Sequence, residues 1–459
     1  LARFLLPPTA AAPRGPKSTL REREVGLPKR FHLAWFTNFT AGAWDATFSH
    51  GGSPWDGKFY VEFAQALERA CFDYIMLEDT LMVSEAYRGT AEATLKYGLQ
   101  VPKHDPVPLA AVIAAATSRL GVVATMSTMA WPPFMLARVS TTIDHIAGGR
   151  FGWNIVTSGE DTAAQNFGLD KLPPRESRYA MADEYMDLVY QLFDSWEPDA
   201  VVMDRERGIY ADWRKVHPID FHGEFFKCRG PLNTVPSPQR RPTFVQAGGS
   251  PRGRAFAARH ADSVIAPGRD IQGMKEYRDD VRAHAVKWGR NPDDLKVLWL
   301  VYPTLGETTR DAREAHRRLV TAPAFVEASL AASGTTSDID FSRYDLDKPL
   351  PGRLTTNGEQ GSLDRFQQWG SGKTLRQLAA ERFDSELDLI GSPDDVSDKM
   401  AHAVEEIGGD GFLISTPFQR TSRRFITEVC EGLVPALQRR GLVREAYTRS
   451  TLRETLREF

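Results

Sequence analysis

Short apolar runs that alternate with amphipathic helical stretches constrain this chain more than any other feature. Eight runs read as strands: 32–38, 74–78, 120–127, 151–157, 243–247, 263–266, 297–302 and 411–415. From Tyr179 to Phe193 the apolar residues Ala182, Tyr185, Met186, Val189, Leu192 and Phe193 recur in steps of three and four, which marks one face of a helix. Similar helices are expected over 59–70, 108–117, 136–146, 253–260, 274–288, 309–319, 394–407 and 425–439. Repeated βα units imply a parallel sheet, because each helix returns the chain to the same edge. Eight such strands with no reversal of order favour a closed (β/α)8 TIM barrel of the α/β class over an open sheet.

The alternation breaks from Glu197 to Arg229 and again from about Thr321 to Glu386. These are expected insertions in the loops after strands 4 and 7 of one barrel domain, residues 31–459. The second is a candidate lid. Residues 1–30 are rich in Pro, Ala and Arg, and Leu5-Leu6-Pro7-Pro8 breaks any signal-peptide core. They read as an extended amino-terminal arm, a leader or a cloning remnant.

Lys and Arg number 57 against 60 Asp and Glu, a formal charge of −3. That balance gives no electrostatic case for nucleic acid or an anionic membrane. No apolar run reaches the roughly 18 residues a spanning helix needs. Cys71, Cys228 and Cys430 are scattered and odd in number. They suggest no disulfide framework, which fits a reducing, cytoplasmic setting.

In a barrel, chemistry is expected where strands end. Asn154 interrupts the apolar run Phe151 to Val156, with Thr157 and Ser158 following. A buried amide needs a partner, either neighbouring backbone or a ligand. Gln246-Ala-Gly-Gly-Ser250-Pro-Arg-Gly253 places consecutive glycines before a helix start, which suits both a Ser cap and phosphate binding. It is neither a Walker loop nor a GxGxxG fingerprint. Asp79 ends another strand and reads as a helix cap or an acceptor for a polar ligand edge. Tyr179 opens a helix and could donate to a phosphate. No GxSxG, HExxH or carboxylate-rich metal box occurs. His217 and His222 lack a third ligand at metal spacing, so no metal is expected. Polar strand ends without a nucleophile point to a cofactor that carries the hard chemistry.

The runs WNIVTS at 153–158, RYAMADEYMDLVYQLFDSW at 178–196, KVHPIDFHGEFFKCRGP at 215–231, QAGGSPRG at 246–253 and DGFLIS at 410–415 resemble the bacterial-luciferase-like flavin monooxygenases. The nearest resemblance is to the nitrilotriacetate, dibenzothiophene-sulfone, dimethylsulfide and long-chain alkane monooxygenases. It implies a (β/α)8 barrel using O2 and reduced FMN, delivered by a separate NAD(P)H-dependent flavin reductase, through a C4a-(hydro)peroxyflavin. By motif it places Asp79 and Ser127 near the isoalloxazine, Asn154 and Val156 at the ring or the ribityl chain, and Tyr179, Gly249 and Ser250 at the phosphate, with Ser158 a further cofactor-binding candidate. It implies a homodimer or homotetramer.

Two histidines of the relatives are missing. Gly159 stands after the Thr-Ser of the fourth strand, and Ala41-Gly-Ala-Trp44-Asp-Ala-Thr replaces a His-containing pattern. No catalytic residue is therefore assigned. Trp35, Phe36, Phe39, Trp44, Met82, Met129 and Trp131 form the candidate substrate pocket, with no Arg or Lys cluster among them. They suggest a small apolar or aromatic compound and oxidative C–S or C–halogen cleavage. Alternatives are C–N cleavage, alkane or sulfide oxygenation, a deazaflavin-dependent reductase, or a non-catalytic flavin-binding protein.

Overall fold

The computed structural model describes residues 29–39 and 57–459. Eight strands form one closed parallel barrel: β1 His32–Asn38, β2 Tyr74–Glu78, β3 Gly121–Ser127, β4 Phe151–Val156, β5 Thr243–Gln246, β6 Ser263–Pro267, β7 Lys296–Val301 and β8 Gly411–Ile414. Each pairs with its sequence neighbours, and β1 closes the ring against both β2 and β8. All eight expected strands are present, with ends shifted by a residue or so.

Side chains alternate across each strand, and this parity organises the whole molecule. Ala34, Tyr74, Met76, Val123, Val245, Ile265, Leu298 and Leu413 fill the barrel interior, with Phe36 and Leu300 above them. Leu452 and Leu456, from the terminal helix Leu452–Leu456, plug the amino-terminal end. A Cβ at Gly121 would lie 2.5 Å from Leu452 Cδ1 and 2.8 Å from the Asp73 carbonyl oxygen, and the second, a backbone atom, makes glycine the residue that fits there. Hydrogen bonds tie the plug down: Arg444 Nη2 donates to the Thr455 carbonyl at 3.2 Å and to Asp73 Oδ1 at 2.8 Å, and His32 Nδ1 lies 2.8 Å from the same oxygen, all buried.

The opposite parity packs outward against the helices. Trp153 is fully buried among Tyr185 and Phe244 and donates Nε1–H to the Met126 carbonyl at 2.9 Å. The ring of helices comprises α1 Lys58–Arg69, α3 Pro106–Ala116, α4 Pro133–Ile146, α5 Arg175–Phe193, α6 Pro251–His260, α7 Ile271–Lys287 and α12 Pro393–Ile407. Several begin at a capped Pro: Asp105, Ser250 and Ser392 each accept a backbone N–H before a Pro at the first helical position.

The first interruption follows α5 rather than β4 itself. It forms two small hairpins, Val201–Asp204 with Ile209–Ala211 and Phe221–His222 with Lys227–Cys228, at the amino-terminal end of the barrel. Glu184 holds the second hairpin by accepting the amides of Glu224, Phe225 and Phe226. After the expected helix α8 Thr309–Val320, the second interruption is more helical than its composition suggested: α9 Phe325–Ser337, α10 Gln360–Trp369 and α11 Leu375–Ala380. It has an apolar core of its own around Leu330, Phe341, Leu363, Phe366 and Leu375. α2 Glu92–Tyr97, from the loop after β2 and not expected from sequence, packs into the same core. No helix among the described residues is long and apolar enough to cross a membrane.

Candidate functional site

At the carboxyl ends of the strands, beneath the second interruption, lies a cavity of about 610 Å³. All eight residues expected at a cofactor line it: Asp79, Ser127, Asn154, Val156, Ser158, Tyr179, Gly249 and Ser250. The parity rule explains the inner set. Thr125 and Ser127 share a face of β3, and Asn154 and Val156 share the facing side of β4, with Thr125 paired to Asn154 in register. Asn154 Nδ2–H donates to Thr125 Oγ1 at 2.9 Å, which leaves Asn154 Oδ1 buried with no partner. Gln246 Oε1, on the adjacent strand β5, is buried and unpaired as well. An orphaned buried acceptor costs about 1–3 kcal/mol, so two on one wall point to a polar ligand edge. Ser127 and Ser158 hydroxyls lie 2.8 Å apart, and Ser158 sits at φ +57°, a left-handed backbone that re-aims the loop into the cavity.

The second part is a glycine cradle at the start of α6. Ser250 Oγ accepts Gly253 N–H at 3.1 Å, and Tyr277 donates its hydroxyl to the Gly248 carbonyl at 2.6 Å. A Cβ at Gly253 would lie 2.7 Å from the Tyr179 hydroxyl, and one at Gly249 would lie 2.7 Å from Arg365 Nη1. A Cβ at Gly248 would lie 2.5 Å from the Gly253 carbonyl oxygen, a backbone atom, and there only glycine fits. The helix start, the serine and tyrosine hydroxyls and the guanidinium together gather donors of the kind that suit a phosphate. Arg365 comes from α10 and was not expected. Its Nε is buried without a partner, and burial pulls its guanidinium pKa down.

The charges around the cavity are sorted by side. Over β2 and β4, burial first and then Glu78 push Asp79 up to about 7. Burial and then Glu359 push Glu160 up to about 8. Glu359 faces the cavity, and the protein around it raises its carboxyl too. Over β6 stand Arg269 and Arg382, neither foreseen.

The expected substrate pocket needs correction. Of its described members only Phe36 lines the cavity. Trp35 has the opposite parity and packs outside the barrel on Phe63, Phe72 and Phe425. Phe39 packs on Tyr60 and His104. Met82 is buried away from the cavity. Past β3 the chain turns outward, so Met129 stands off the cavity and Trp131 leans on the helical layer, its carbonyl accepting the Tyr185 hydroxyl. Trp44 lies outside the described residues. The expectation of no basic cluster also fails, since Arg269, Arg365 and Arg382 all line the cavity. Arg269 follows β6 by two residues, so the strand-end rule could have found it. Arg365 and Arg382 lie on the interruption, whose path carries no periodic signal.

A family model described as luciferase-like monooxygenase matches residues 32–411. The chain is 36% identical over 410 residues to a long-chain alkane monooxygenase of Geobacillus thermodenitrificans, covering 87% of each. It is 34% identical over 431 residues to a dimethyl-sulfide monooxygenase of Hyphomicrobium sulfonivorans, covering 93% of this chain and 89% of that one. Among solved structures, a riboflavin lyase with modified FMN and riboflavin superposes with TM-score 0.84 at 31% identity, covering 94% of this chain and 96% of that one.

Proposed function

This chain belongs to the luciferase-like monooxygenase family and is an oxygenase, and on that premise we propose that it is the oxygenase component of a two-component system using FMNH2 and O2. One observation carries the FMN assignment. A wall with two unpaired buried acceptors and a glycine cradle with Ser250, Tyr179 and Arg365 line one cavity of flavin-compatible size. FMN needs both, a polar ring edge to satisfy the amides and a phosphate for the cradle. When bound, the reduced flavin supplies the electrons that activate O2.

The chain's own residues bind, orient and exclude water. Asn154 and Gln246 offer acceptors to the ring or ribityl donors. The cradle anchors the phosphate end. The helices of the second interruption roof the cavity, and shielding from water favours oxygenation over wasteful oxidation. With no GxGxxG loop for a nicotinamide, a separate NAD(P)H-dependent flavin reductase is the proposed source of FMNH2. The substrate is a small organic compound whose apolar or aromatic body meets Phe36, Tyr302 and Phe383, with C–S, C–halogen or C–N cleavage as the classes to assay. The test is anaerobic titration with FMNH2, then mixing with oxygenated buffer. Tight binding and reoxidation much slower than that of free FMNH2 support the reading; absence of FMNH2 binding refutes it.

A further inference from the structure

We propose that Arg269 and Arg382 form an oxyanion grip for the substrate, which therefore carries a carboxylate, sulfonate or similar group beside its oxidised carbon or sulfur. The inference rests on the FMN reading, because it takes the glycine cradle as filled by the cofactor's phosphate and the remaining wall as the substrate's.

Arg269 lies just past β6. Its Nη2–H donates to the Arg382 carbonyl at 2.6 Å, its guanidinium lies 5.2 Å from the Trp369 ring centroid, and its Nη1 has no partner. Arg382 Nη1 donates to the Ser329 carbonyl at 3.3 Å and to the Ser333 hydroxyl. These partners are neutral. They orient the two guanidinium planes without cancelling their charge.

No nearby carboxylate closes on the two guanidiniums: Glu359, whose field reaches Arg382, accepts the Ser362 hydroxyl at 2.8 Å, and the others are engaged elsewhere. Asp384 pairs with His316 at 3.1 Å, and Asp388 pairs with Arg313 and with Lys399. Among the described residues no carboxylate forms an ion pair with Arg269 or Arg382. Two cations held in a closed space lose water and repel each other. Burial first and then Arg382 push Arg269 down to about 10, and burial lowers Arg382 as well. Such a pair is costly unless an anion enters between them. A planar oxyanion matches the forked donors of guanidinium better than any neutral group does. Tyr302 and Phe383, with ring centroids 4.9 Å apart, line the same wall and would take the organic body next to the anion.

The cofactor's phosphate has its own donors at Ser250, the cap of α6, and at Arg365 on α10. An anionic substrate would set this chain apart from the alkane and sulfide relatives, whereas nitrilotriacetate, named for a relative 32% identical over 448 residues, is itself a carboxylate.

The probes are benzoate and benzenesulfonate, with benzamide as the uncharged control, titrated calorimetrically into the full chain loaded with FMN. The variants are Arg269→Met and Arg382→Met, with Arg269→Lys as a milder change that keeps the charge. FMN and riboflavin affinities are measured on every sample. The expected result is that the unsubstituted protein prefers both anions to benzamide, and that each Met variant weakens the anions by about tenfold or more. The ratio of FMN to riboflavin affinity should stay constant. Equal binding of benzamide and the anions by the unsubstituted protein overturns the proposal even if a variant misfolds. So do Met variants that bind the anions as well as the parent. A variant that loses FMN relative to riboflavin overturns it by making the arginine a phosphate ligand. Failure of the unsubstituted protein to bind FMN refutes the function reading instead.

Discussion

Replacing Arg365 by Met tests the cradle and the electrostatics together, because the two states of the protein should respond in opposite directions. Without ligand, Arg365 is a buried cation with an unpaired Nε, and removing such a group relieves about 1–3 kcal/mol of desolvation. Met fills similar volume without a charge, so the melting temperature of the ligand-free variant should hold or rise. With ligand, the variant loses a charge-assisted contact to phosphate worth about 2–3 kcal/mol. At about 1.4 kcal/mol per factor of ten, FMN should bind roughly 30- to 140-fold more weakly. Riboflavin lacks the phosphate and should bind almost as before. Quenching of flavin fluorescence gives both constants on one sample, and a thermal melt gives the stability. Equal losses for FMN and riboflavin would show that Arg365 shapes the cavity and does not read the phosphate. A melting temperature several degrees lower would show that the guanidinium is compensated in the ligand-free chain, and the reasoning would fail there.

Asn154→Leu should weaken FMN and riboflavin alike by tenfold or more, because the proposed placement sets the unpaired Oδ1 against the part of the flavin that both share; a loss confined to FMN would contradict that placement. Glu160 has a folded pKa raised to about 8 from an ordinary 4.5. The folded state therefore holds a proton that the unfolded chain has released between those values, and its stability should fall as pH climbs from about 5 to 8. Glu160→Gln should flatten that decline in melting temperature, and an unchanged slope would remove Glu160 as its cause. Trp35→Leu should cost about 2–4 kcal/mol of stability in denaturant titration and leave flavin affinity unchanged; a large loss of flavin binding would return Trp35 to the pocket.

How far the sequence could be read depended on which residues obey a local period. The strands, the ring of helices and the polar strand ends Ser127, Asn154 and Ser250 were legible, because alternation of two and of 3.6 is written into neighbouring residues. The same rule, applied more strictly, would have separated Trp35 from Phe36. Adjacent residues on a strand face opposite sides, so both could never have lined one cavity. Phe36 shares its face with Ala34 inside the barrel, and that left Trp35 to the helical layer.

The basic wall was illegible for a different reason. Arg365 and Arg382 reach the cavity only because the second interruption folds on its own small core with α2 and then crosses the barrel mouth. That path depends on contacts between residues such as Tyr97 and Phe341, far apart in the chain. No spacing rule reports such contacts. The barrel therefore advertises the residues of the proposed flavin wall, while the roof, which adds Arg365 to the proposed phosphate cradle and Arg382 to the proposed grip, keeps its chemistry hidden until the fold is known. Differences in substrate between members of such a family are then expected to track the roof more closely than the strands. Exchanging residues 321–386 with the matching segment of the alkane enzyme tests that division. The exchange should move substrate preference while the affinity for riboflavin, which the strand ends set, stays within a few fold of the parent.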